Sequence, residues 1–72
     1  MFTLICIGTY GEVYATEDIA IIEDACWQAQ CHAQIDGGNA WVISDWGRVV
    51  HFELGYMNGG KIAEGFYPYA KF

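Results

Sequence analysis

TEDIAIIEDACWQAQCHAQIDGGN, residues 16–39, is the stretch on which the fold turns. At about 100° per residue, Ile19, Ile22, Cys26, Ala29 and Ala33 fall on one stripe with Ala25 beside it, the recurrence of a helix laid on a sheet. Thr16 stands where an N-cap would. Glu17 and Asp18 then fall in the first turn, where carboxylates meet the positive end of the helix dipole. Asp36-Gly37-Gly38-Asn39 supplies the stop, because a glycine readily takes the left-handed turn that closes a helix. The spacing predicts a helix from Thr16 to near Gln34.

On either side of it the periodicity changes to that of strands. Phe2-Thr3-Leu4-Ile5-Cys6-Ile7 is a continuous apolar and β-branched run ending at Gly8, the pattern of a central strand. Thr9-Tyr10-Gly11 has turn chemistry, and Glu12-Val13-Tyr14-Ala15 alternates polar with apolar, so a strand folding back on the first is expected. After the helix, Ala40–Ser44 reads as a strand, Asp45-Trp46-Gly47 as a tight turn with glycine at positive φ, and Arg48–Leu54 as the returning arm. Alternation in that arm puts Val50, Phe52 and Leu54 on one face and Val49, His51 and Glu53 on the other. Asn58-Gly59-Gly60 marks a further turn, with a short fifth strand over Lys61-Ile62-Ala63-Glu64. The tail from Phe66 to Phe72 is aromatic, and Pro68 argues against a central strand there. The expected fold is α+β: a single helix packed on an antiparallel sheet, in the order β-β-α-β-β with that short fifth strand added.

Seventy-two residues are too few for two domains, so residues 1–72 are expected to form one, with a narrow stability margin. A hydrophobic fraction of 54%, with 17% aromatic residues, excludes a disordered chain. The three cysteines, Cys6, Cys26 and Cys31, cannot all pair within one chain, which fits a reducing compartment. No basic residue precedes the apolar run at the start, and the run ends at Ile7, far short of the roughly 20 residues of a membrane span. A cytoplasmic protein without membrane contact is expected.

Charge carries the functional expectation. The net charge is −6, and residues 1–47 hold seven carboxylates (Glu12, Glu17, Asp18, Glu23, Asp24, Asp36 and Asp45) without one Lys or Arg. Arg48, Lys61 and Lys71 are scattered singly, so direct nucleic-acid binding, which needs clustered cations for the phosphates, is disfavoured. Part of the surface should instead be uniformly negative and attract a protein partner with a basic surface.

Sites for chemistry are poorly supported by spacing. Cys26 and Cys31 stand five apart, about 140° around a helix, and Cys31-His32 diverge by about 100°, so neither pair grips a metal together. Cys6 and Cys26 read as small core residues and Cys31 as a surface thiol. Ser44, Asp45 and His51 approach one another across the expected hairpin, but a chain this small has little room for a pocket that excludes water. Gly8 and Gly11 lack the third glycine of a phosphate loop, and Gly59-Gly60 lacks the following Lys-Ser or Lys-Thr. No enzyme activity, cofactor or metal is expected.

What remains is acidic and aromatic. Trp27 lies away from the helix's buried stripe beside Glu23 and Asp24, and Trp46 lies at a hairpin tip between Asp45 and Arg48. For each, packing under the aromatic tail is the alternative to exposure. Exposed indoles are enriched where partners bind. The expectation is therefore a small, acidic, non-enzymatic protein-binding module. The leading form is a phage-type inhibitor, an anti-CRISPR candidate among them, that fills a basic nucleic-acid groove as a nucleic-acid mimic. Its partner-binding residues are Glu17, Asp18, Glu23, Asp24, Trp27, Asp45 and Trp46. The alternative is a self-associating structural or regulatory module, a homodimer built on a free strand edge and the aromatic tail.

Overall fold

Phe2–Ile7 forms β1, and strands flank it on both sides: β2 (Val13–Ile19) and β3 (Asn39–Ser44), each antiparallel to it. The computed structural model describes residues 1–54, 56–58 and 60–61, with backbone alone at Asp36, Gly60 and Lys61. From β3 the sheet continues antiparallel through β4 (Val49–Glu53), β5 (Tyr56–Met57) and β6 (Gly60–Lys61), in the spatial order β2-β1-β3-β4-β5-β6. The one α-helix among the described residues, α1 (Ile22–Cys31), lies between β2 and β3 in the chain and packs chiefly over β1 and β3. The fold is α+β, with one helix on one face of an antiparallel sheet.

Small and large residues divide the core between them. The helix contributes Ala25, Cys26 and Ala29, with Ala33 just beyond its end, while the sheet contributes Leu4, Val42, Val50 and Phe52. Short side chains along the stripe let the helix axis approach the sheet, and the bulkier strand residues fill the space between.

The helix starts later than its sequence suggests. Thr16, Glu17, Asp18 and Ile19 belong to β2, so Thr16 is not an N-cap and the two acids are not in a first helical turn; the N-cap is Ile21, which makes no side-chain cap. Sheet pairing wins because β1 would otherwise leave backbone groups unpaired along Phe2–Leu4. The register, Leu4 opposite Thr16 and Phe2 opposite Ile19, leaves Glu17 and Asp18 together facing Thr3. This is a bulge, with Asp18 in the left-handed region at φ 59°. Without the extra residue Asp18 would stand opposite Phe2 beside the core; with it, Ile19 does.

At its other end α1 passes into one π-helical turn, His32–Asp36, closed by Gly37 at φ 68°. The stop therefore falls at the expected glycine, two residues beyond Gln34. Gly47 has φ 88° in the β3–β4 turn, as that turn's chemistry requires. Leu54 does not join Val50 and Phe52 on the buried face: β4 ends at Glu53, and Leu54 lies exposed in the next turn. Beyond β4 the sheet adds the short strands β5 and β6, and Lys61, the first residue of the strand expected over Lys61–Glu64, lies in β6. Of that segment only Lys61 is described, and the aromatic tail lies outside the described residues. Among the described residues, no helix is long and apolar enough to cross a membrane.

Candidate functional site

The strand register assembles the acidic surface. Phe2 is flanked by Ile19 on one side and Ser44 on the other. The β2 bulge, the start of α1 and the β3–β4 turn therefore all lie at the same end of the sheet. Glu17 and Asp18 come from the bulge, Glu23 and Asp24 from the first turn of α1, and Asp45 from the hairpin turn; all five are exposed. Glu23 and Asp24 also sit where the helix dipole favours negative charge.

The positive groups described at this end are the Met1 ammonium, 2.9 Å from Asp45 Oδ2, and Arg48. Both members of the Met1–Asp45 pair are well exposed to water, which screens the attraction. Carboxylates remain in excess.

Two indoles border the surface. Trp27 follows Glu23 by one helical turn and is 54% exposed; Trp46 is 63% exposed and touches Phe2 edge-to-face, with ring centroids 6.0 Å apart. Glu12 and Asp36 do not join the group. Glu12 ends the β1–β2 loop and Asp36 the π-helical turn, both at the far end, where Ile7 is flanked by Val13 and Asn39. The predominantly negative part of the surface thus draws on fewer carboxylates than the carboxylate-only sequence stretch holds.

Ser44, Asp45 and His51 do not converge. Ser44 is buried on the helix side, its Oγ accepting the Arg48 N–H at 2.9 Å, and Asp45 is engaged by the Met1 ammonium. His51 lies on the opposite face, where its Nε2 donates to Asn39 Oδ1 at 2.8 Å and its ring stacks on Trp41 with centroids 4.9 Å apart. Among the described residues, no group of three or more His, Cys, Asp or Glu side chains is placed to hold a metal. Cys6 and Cys26 are buried; Cys31, expected at the surface, is half-buried.

Two features escape a reading of the sequence. The first is the sheet face away from α1, on which pairing aligns Ile5 with Trp41 and His51, Ile43 with Thr3 and Val49, and Ile7 with Val13. Its apolar residues lie one on each of several strands, so no single strand reveals it. The second is a cavity of about 310 Å³ at the far end, lined by Gly8, Thr9, Tyr10, Glu12, Tyr14 and His32. His32 is distant in sequence from the rest, and only the chain's return through α1 brings it there. Comparison with known proteins returns no matching family model, no matching curated protein and no matching solved structure.

Proposed function

We propose that the protein is a non-enzymatic inhibitor of phage type, working in the host cytoplasm, that plugs a basic nucleic-acid-binding groove of a host protein. A CRISPR effector, a restriction enzyme and a transcription or nucleoid protein all present such grooves. The observation that supports this reading most directly is the gathering of Glu17, Asp18, Glu23, Asp24 and Asp45 at one end of the sheet, bordered by the exposed Trp27 and Trp46. In such a complex the carboxylates take the places of phosphates and steer the encounter, while the indoles supply desolvated anchors.

Affinity capture from host lysate tests it. The wild-type chain should recover a nucleic-acid-binding protein and release it as salt rises from about 0.1 to about 0.5 M, where screening shortens the reach of the field. The double variant Glu23→Lys, Asp24→Lys should lose that protein at least tenfold. Reversed charges at a helix N-terminus cost only about 0.3–1 kcal/mol each, so the variant should still fold, which circular dichroism checks. Undiminished capture by the variant would count against the proposal.

A second reading, self-association, is favoured by the sheet face away from α1. Ile5, Ile7, Trp41 and Ile43 are half-buried there and Val13 and Val49 exposed, which makes an apolar patch suited to a symmetric partner. Light scattering at high micromolar concentration should then give a dimer mass for the wild type and a monomer mass for Ile43→Lys. A monomeric wild type removes this reading.

A further inference from the structure

We infer that the cavity at the Gly8 end is a binding site for an organic cation, a protonated amine or guanidinium group, held by Glu12 with Tyr10 and Tyr14 beside it. The site lies at the opposite end of the sheet from the clustered carboxylates and does not depend on their proposed role.

Its walls are built by the backbone. The Gly8 N–H donates to the Glu12 carbonyl at 2.8 Å and the Gly11 N–H to the Gly8 carbonyl at 3.0 Å, so the loop is closed on itself. The fourth side comes from the π-helical turn, whose first residue, His32, donates Nε2–H to the Ile7 carbonyl at 3.0 Å. The π-helical turn continues α1 to Gly37, and its His32 lines the cavity.

The lining selects for positive charge. Thr9, Tyr10 and Tyr14 bring hydroxyl groups and two aromatic rings to the lining, Glu12 brings a carboxylate, and none of the described lining residues is Lys or Arg. Among the described residues, no cation lies within ion-pair distance of Glu12. Its carboxylate lies over Gly8: a Cβ added there would lie 2.8 Å from both Cδ and Oε1 of Glu12. A carboxylate beside aromatic rings attracts ammonium and guanidinium groups by charge-assisted hydrogen bonding and by the ring quadrupole. Anions are repelled, and a neutral ligand gains neither term. A cavity of this volume stands at the small end of ligand sites and suits a small head group.

The test is a titration with methylguanidine chloride and with methylammonium chloride, followed by backbone amide shifts. The neutral near-isostere N-methylurea and sodium acetate serve as controls. Saturable shifts are expected at Gly8, Thr9, Tyr10, Glu12 and Tyr14, with a Kd on the order of 1 mM, as befits so small a ligand. Glu12→Gln should weaken binding roughly tenfold or more. Gly8→Ala should do the same while leaving the fold intact, because the atoms it displaces are the mobile end of a glutamate side chain.

A peptide carrying one arginine, Ac-Gly-Arg-Gly-amide, distinguishes the source. Binding tenfold tighter than methylguanidine assigns the site to a protein side chain, and equal binding assigns it to a free small molecule. Equal shifts with N-methylurea, shifts centred on Asp18–Asp24 instead, or binding indifferent to Glu12→Gln would each overturn the inference.

Discussion

Phe52→Ala is expected to remove about 4 kcal/mol of stability, the usual range for a buried Phe cut to Ala being about 3–5 kcal/mol. Phe52 is the largest fully buried side chain and, among the described residues, the one aromatic in the core cluster. Its strand partners are Ala40 and Met57, and the helix above contributes mainly alanines, whose short side chains cannot fill the vacated space. At roughly 0.05–0.15 kcal/mol per residue a chain of 72 residues has about 4–11 kcal/mol in all. The variant should therefore be largely unfolded or have a greatly lowered urea midpoint. Phe52→Leu, which keeps most of the volume, should cost about 1 kcal/mol. Similar midpoints for Phe52→Ala and the wild type would mean that the core is not where it is placed here.

The second large effect is expected at Gly38. A Cβ there would run into the Ile7 carbonyl oxygen and stand 2.5 Å from His32 Nε2 and 3.2 Å from the Gly8 Cα. Two of these obstacles are main-chain atoms of β1 and its following loop, which cannot swing aside. Gly38→Ala should therefore force the π-helical turn away from β1 and break the His32–Ile7 hydrogen bond. Overpacking and the lost bond together cost about 3 kcal/mol, a fall in melting temperature on the order of 15 °C for a domain of this size. Methylguanidine binding should vanish with it, since the same contact forms the cavity wall. Thermal unfolding of Gly38→Ala beside Gly8→Ala is the decisive comparison, because the second glycine abuts only a side chain and should leave the melting temperature nearly unchanged.

Both positions show what residue patterns can and cannot announce. The apolar run of β1, the β3–β4 hairpin with Gly47 and, apart from Ile19, which belongs to β2, the stripe of Ile22, Ala25, Cys26, Ala29 and Ala33 are legible because each rests on local periodicity or on a turn requirement. The start of the helix is not. Thr16, Glu17 and Asp18 have good capping and first-turn chemistry, yet the demand of β1 for a second hydrogen-bonding partner is non-local and outweighs it. Exposure of Trp27 and Trp46 follows from wheel position and turn geometry, and so was readable. The gathering of five carboxylates at one end depends on strand register, as does the separation of Glu12 and Asp36 from them. The role of Gly38 is hidden for a similar reason: beside Gly37 it reads as part of a helix stop, whereas its constraint comes from Ile7, on a strand far away in sequence.

The bulge at Asp18 has a bearing on polymerisation. β2 is an outer strand of the sheet, and an outer strand with free amides and carbonyls is a template on which further copies of a chain can add. A left-handed residue and two adjacent carboxylates interrupt that template, so a newcomer could not keep an unbroken ladder along it and would bring its own negative charges against these. Filament growth by edge addition needs both borders of every copy, and the bulge works against it at this one.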